Sequence, residues 1–156
     1  MSGESPHMPL SPAPDLPNIS TQARRFGKTR DAQATALGED YVELIDDLVT
    51  SQGLARATDI ARRLGVSHAT AIKVMSRLER EGLVTTRPYR GVTLTQAGRD
   101  LALRVRARHR LVVDVLLALG VPPEAAELDA EGIEHHVGDV TLDAFAKYLQ
   151  KISKAR

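Results

Sequence analysis

The sequence predicts a mainly α protein: an N-terminal winged helix–turn–helix with a β-hairpin wing, a long linking helix and a C-terminal helical domain. Three observations carry this reading. Apolar residues recur at helical spacing through most of the chain after Gly38. A single pair of short β-prone runs surrounds a Pro/Gly turn at Pro88-Tyr89-Arg90-Gly91. The charge reverses twice along the chain: net −4 over residues 1–53, net +9 over 54–110 and net −4 over 111–156. A basic block between acidic flanks suits a polyanion-binding module joined to something that binds cations.

Composition narrows the class. The chain has 156 residues, enough for one or two small domains, with 42% hydrophobic and 26% charged residues. Aromatics are 3% and Trp is absent, so the core must be aliphatic. With no cysteine, disulfides and thiolate zinc sites are excluded. No apolar run approaches the roughly 18 residues of a membrane span, and the N-terminus lacks a signal-peptide core, so a cytoplasmic protein without a membrane partner is expected.

Residues 1–36 hold five of the eight prolines and no periodicity, and read as a disordered tail that becomes helix-prone only near Asp31–Ala36. Arg24, Arg25, Lys28 and Arg30 in it form a basic patch, either merely solvated or touching DNA phosphate. A helix follows from about Glu39 to Ser51, with Tyr41, Leu44, Ile45 and Leu48 as its apolar stripe and Gly53 as its stop. Asp40 and Glu43 lie on another face, where favourable charge near a helix N-terminus would explain them. Thr58 or Ala57 opens a short helix and Gly65 stops it. Ser67 can cap a second helix over His68–Glu81, and the two share Ile60, Leu64, Val66, Ile72, Met75 and Leu78 as a core. This is helix–turn–helix spacing. Ser67, His68, Thr70, Lys73 and Arg77 on the second helix are the candidate DNA-reading residues, and Arg87 and Arg90 on the hairpin would reach phosphate or the minor groove.

Thr95 opens a long helix to Leu119. Val105, His109, Val112 and Leu116 follow 4, 3, 4 spacing, so His109 lies in an apolar stripe and needs a partner there. Leu111, Val115 and Leu119 add apolar surface that suggests a subunit interface. The segment from Glu124 reads as helical, placing Glu131, Glu134 and His135 at i, i+3 and i+4 on one face. Two carboxylates and an imidazole so placed suit Mn²⁺, Fe²⁺, Mg²⁺ or Zn²⁺; a solvated acidic face is the plain alternative. A last amphipathic helix spans Leu142–Ile152.

A winged helix–turn–helix, a linking helix and an acidic, histidine-bearing helical domain, in that order, resemble the diphtheria-toxin-repressor family of metal-dependent transcription regulators, most closely its manganese branch. The resemblance runs from about Asp40 onward. It rests on Asp40-Tyr41-Val42-Glu43, Arg108-His109 and Glu131-Gly132-Ile133-Glu134-His135-His136. It implies a DNA-binding domain over residues 37–98 and a metal-binding and dimerisation domain over 99–156. It also implies metal ligands at Asp40, Glu43, His109, Glu131, Glu134 and His135, with His136 not binding. Two Mn²⁺ per subunit would share the two glutamates of the last motif, with Asp40, Glu43 and His109 completing one site and His135 belonging to the other. Iron-type relatives carry sulfur at the positions of Asp40 and Glu134, and oxygen at both moves the expectation from iron to manganese. The SH3-like domain of longer relatives is not expected. The metal would act as corepressor in a homodimer on double-stranded DNA with a palindromic operator, repressing manganese uptake. A member responding to Fe²⁺ or Zn²⁺, or a metal-independent winged-helix regulator, is the alternative. A metallohydrolase is disfavoured: His-Glu-x-x-His is absent, and the basic winged helix would be left unexplained.

Overall fold

The computed structural model describes residues 15–155. Its elements are α1 (Ile19–Gln52), α2 (Ala57–Leu64), α3 (His68–Arg80), β1 (Val84–Arg87), β2 (Gly91–Leu94), α4 (Gln96–Ala118), α5 (Pro123–Ile133) and α6 (Asp139–Lys154). None of the described helices is long and apolar enough to cross a membrane.

The largest difference from the sequence expectation is α1. It starts at Ile19, not near Glu39, so residues 19–36 of the expected tail are helical; residues 1–14 lie outside the described part of the chain. The cause is local. The prolines stop at Pro17, and Asn18 caps the helix by accepting a hydrogen bond from the Thr21 backbone N–H at 2.9 Å. The residues that follow include good helix formers, Ala, Arg, Gln and Lys. This half has no apolar stripe because it buries little; the buried residues begin at Gly38.

The winged helix–turn–helix forms one core. Tyr41, Val42, Ile45 and Leu48 of α1 pack with Ile60 of α2, Met75 and Leu78 of α3, and Val84, Val92 and Leu94 of the hairpin. Each fully buried large side chain contributes about 1.5–3 kcal/mol. Gly65 takes φ +67 at the turn, and Ser67 caps α3 by accepting from Thr70 N at 3.1 Å. The strands pair antiparallel from Val84 opposite Leu94 to Arg87 opposite Gly91. Gly91 is forced by space as well as by its φ of +72, since a Cβ there would sit 2.4 Å from the Ala55 carbonyl oxygen.

A second core joins α4 to α5. Val112 and Val113 pack on Ala126 and Ala130, with Leu116, Val121, Leu142 and Phe145 around them. Two alanines four residues apart let α5 lie close to α4. Pro123 opens α5, where a missing N–H costs nothing. Of the apolar residues read as a subunit interface, Val115 is buried within the subunit, whereas Leu119 is exposed. α6 buries no residue fully.

Candidate metal centre

Three elements converge around the middle of α4. α1 brings Glu39, Asp40 and Glu43, α4 brings His109, and the end of α5 brings Glu131, Glu134 and His135. Charge pairs hold α4 against α1: Arg106 donates to Asp46 and Asp47, and Arg108 donates to Glu39. The small Ala126 and Ala130 face the core, which leaves the neighbouring Glu127 and Glu131 to face out beside His109.

The expected single helical face is not what forms. α5 ends at Ile133, with Glu134 as its C-cap, and the next residues turn. Glu131 and Glu134 therefore meet His109, while His135 swings toward α1. His109 Nδ1 lies 3.6 Å from Glu131 and 3.4 Å from Glu134. His135 Nε2 lies 3.3 Å from Asp40 and 3.6 Å from the same Glu134 oxygen. Glu134 thus stands between the two imidazoles. Asp40 lies against His135, which differs from the grouping with His109 that the resemblance implies. Glu43 shares a shallow cleft with Asp40 and Glu131.

The electrostatics leave this cluster short of positive charge. Burial pushes the carboxyls of Asp40, Glu43 and Glu134 up. Glu131 raises all three further, while His135 opposes at Asp40 and Glu134 and Arg106 opposes at Glu43. Burial pulls His109 down, but Glu127, Glu134 and Glu131 outweigh it and leave the imidazole raised. Glu134 is 1% exposed, and its Oε2, like His109 Nδ1, is buried without a hydrogen-bond partner. A buried carboxylate in that state is costly unless a cation meets it. Among the described residues, His109, Glu131 and Glu134 form the group whose ligand atoms all lie within 4.8 Å of one another. Nitrogen and carboxylate donors at that spacing fit a divalent ion.

The candidate DNA-reading residues are simpler. Ser67, His68, Thr70 and Lys73 are exposed at the start of α3, and Arg87 and Arg90 are exposed on the hairpin around a protruding Tyr89. Arg77 departs from this set. It turns back onto α1, within 3.5 Å of the Ala34 carbonyl, and pairs with Glu81 at 3.5 Å. Its helical position puts it a turn beyond Lys73, on the side where α1 crosses.

Comparison with known proteins bears on both regions. Residues 34–92 match the iron dependent repressor N-terminal DNA-binding domain. Residues 95–155 match the iron dependent repressor metal-binding and dimerisation domain. The transcriptional regulator MntR of Escherichia coli O6:H1 is 48% identical over 136 residues, covering 87% of this chain and 88% of that one. The chain is an MntR-type member of the diphtheria-toxin-repressor family. The HTH-type transcriptional regulator MntR of Lysinibacillus sphaericus C3-41 is 38% identical over 72% of this chain and 81% of its own length. A solved manganese-dependent transcriptional repressor in complex with manganese is 32% identical, with a TM-score of 0.59, over 72% of this chain and 52% of that longer one. As a member of this repressor family, the chain is a metal-dependent DNA-binding transcription repressor with a dimerisation domain.

Two residues at the centre were not singled out by the sequence reading. Glu39 and Glu127 each take one nitrogen of a histidine: His135 Nδ1 lies 2.8 Å from Glu39, and His109 Nε2 lies 2.9 Å from Glu127. A signal for Glu39 was its place three residues before the buried Val42, at the edge of the apolar stripe. Glu127 lies four residues before Glu131, on the same helical face, and could have been found by that spacing.

Proposed function

We propose that this member of the family is a Mn²⁺-dependent repressor holding two ions per subunit, with Asp40, Glu43, His109, Glu131, Glu134 and His135 as ligands. It would act in the cytoplasm as a homodimer on a palindromic operator and repress manganese uptake. The observation that carries the reading is Glu134, a buried carboxylate between His109 and His135 with one oxygen unpartnered. Oxygen donors at Asp40 and Glu134 favour Mn²⁺ over the softer choices that sulfur would bring.

A bound divalent cation supplies the positive charge that these carboxylates lack. The protein does the rest. Asp40 and Glu43 belong to the helix that carries the core of the DNA-binding region, whereas Glu131, Glu134 and His135 belong to the dimerisation region. Unneutralised, the acids on the two sides repel one another and favour separation. Neutralised, they hold α1 against the end of α5. In a two-fold dimer that fixes the spacing of two α3 helices over two half-sites. Residues 37–98 and 99–156 are the two units so joined. The open groove between α4 and α6, with Leu117, Leu149 and Ile152 along it, suits the subunit contact. Ser67, His68, Thr70 and Lys73 would read bases, and Arg87 and Arg90 would hold phosphate; Arg77 serves the α1–α3 contact instead.

The test is direct. Metal-stripped protein is titrated with Mn²⁺ by electron paramagnetic resonance. Duplex DNA selected from a random library in Mn²⁺ is then bound with Mn²⁺, Zn²⁺, anaerobic Fe²⁺ or chelator. Two ions per subunit, a Mn²⁺ response and loss of binding in chelator are expected. DNA binding indifferent to chelator would overturn the reading.

A further inference from the structure

Glu39 is 6% exposed, more buried than every ligand candidate except Glu134, yet it has no place in the ligand set. One of its oxygens, Oε2, accepts from Arg108 and faces His135 Nδ1 at 2.8 Å. The opposite ring nitrogen, Nε2, faces Asp40 at 3.3 Å and Glu134 at 3.6 Å. We propose that Glu39, held by Arg108, is the positioning residue of His135: it accepts a hydrogen bond from Nδ1–H, keeping the ring proton there, and so leaves the Nε2 lone pair aimed into the metal centre. The chemistry is general. A neutral imidazole carries one proton, and whichever nitrogen donates it elsewhere leaves the other free to bind a cation. Arg108 supplies what makes the arrangement tolerable, since a buried carboxylate needs a cation of its own.

The same device recurs in a wetter form at the other histidine. His109 Nε2 faces Glu127 at 2.9 Å, Arg110 lies 3.7 Å from Glu127, and His109 Nδ1 faces Glu131 and Glu134. Glu127 is 54% exposed in its side chain, against 7% for Glu39. Water can replace the first and not the second, so the buried carboxylate should matter more.

The proposal rests on the metal-centre reading above, and its test separates the two. Metal-free wild type, Glu39→Gln, Glu39→Asp and Glu127→Gln are compared by ¹H–¹⁵N correlation of the histidine rings, at a pH where the imidazoles are neutral. Each is also titrated with Mn²⁺ by electron paramagnetic resonance. We expect His135 to carry its proton on Nδ1 in wild type and to shift toward the Nε2–H form in Glu39→Gln. Affinity should fall about 10–100-fold with the number of ions unchanged. Glu39→Asp should keep the Nδ1 proton and lose less, and Glu127→Gln should cost under about 10-fold. An unchanged tautomer with unchanged affinity in Glu39→Gln overturns the proposal. So does an unchanged tautomer with one ion lost, because Glu39 is then itself a ligand. If Glu39→Gln does not fold by circular dichroism, Glu39→Asp decides: an Nε2–H ring with wild-type affinity overturns the proposal. Wild type that binds no Mn²⁺ overturns the metal reading, while the ring spectra still decide on Glu39.

Discussion

The junction of α1, α4 and α5 crowds its charges, whereas the helix–turn–helix and hairpin spread theirs. At the junction, Asp40, Glu43, Glu131 and Glu134 face one another around two histidines, and burial raises three of the four carboxyls. On the helix–turn–helix and hairpin, Lys73, Arg87 and Arg90 stand exposed, with no ion-pair partner among the described residues. The difference teaches what each region is built to meet. Exposed cations cost the fold little and wait for a polyanion that releases counterions on contact. Crowded, half-buried anions cost the fold something in the absence of a cation, so a cation's arrival can change where helices sit.

The largest way to break this comparison is at Glu134, which both histidines approach. Glu134→Gln keeps the shape and removes the charge. Mn²⁺ affinity should fall by more than the roughly 100-fold upper end seen for residues that merely support ligands. The metal-free variant should melt higher than metal-free wild type, because a buried charge is gone. Calorimetry with and without Mn²⁺ reads both. A variant that still gains wild-type thermal stability from Mn²⁺ would show that Glu134 is not central.

A smaller effect is expected at His109, which removes a neutral donor and leaves the acids in place. His109→Ala should stay folded and dimeric, but need about 10-fold more Mn²⁺ to bind DNA. Superimposable Mn²⁺ titrations of DNA binding for variant and wild type would return His109 to the role of a core histidine satisfied by Glu127.

Much of this was legible in the sequence, for reasons that differ by region. The helix–turn–helix and hairpin are written in local signals: Gly65 and Ser67 at the turn, and Pro88 and Gly91 at the hairpin. The ligand candidates were legible because carboxylates and histidines recur at short spacing near Asp40 and Glu134, and because their order resembles a family. What stayed hidden depends on where helices stop and cross. The N-terminal half of α1 has no apolar period because little packs on it. The end of α5 at Ile133 sends His135 to α1, and nothing in Glu134-His135-His136 announces that turn. Glu39 looks like one more acid until Arg108 and His135, 69 and 96 residues away in sequence, are placed against it. Arg77 looks like a phosphate contact until α1 crosses its path.

Acidity should sharpen the contrast between metal-free and loaded protein. Asp40, Glu43, Glu134 and His109 are all raised in the folded chain. A group raised on folding contributes stability that is fully present below its unfolded value and lost as pH rises through its folded value. All four therefore have one sign. Metal-free protein should become more stable as pH falls from about 7 to about 5, with the carboxyls still gaining below that. Mn²⁺-loaded protein should lose stability over the same range, as protons displace the ion from its ligands. Melting curves that move in parallel for the two forms would show that the raised groups are not the ones that meet the metal.

The smallest effect lies on the basic side, and it separates two arginines that look alike in sequence. Log affinity for DNA should fall linearly with log salt, with a slope of roughly −0.9 per phosphate neutralised. Arg90 is exposed beside Tyr89 at the hairpin turn, with no ion-pair partner among the described residues. Arg90→Ala should make the slope shallower by about 0.9 per subunit and leave the preferred sequence unchanged, because phosphate contacts position without reading bases. Arg77, 34% exposed and turned onto Ala34 and Glu81, is already committed within the fold. Arg77→Ala should therefore leave the salt slope as it is and lower the melting temperature slightly, through loss of the α1–α3 contact. The measurement is DNA binding across a salt series at saturating Mn²⁺ for both variants. If Arg77→Ala flattens the slope and Arg90→Ala does not, α3 meets phosphate farther along its length than the structure indicates, and the hairpin is not a phosphate contact.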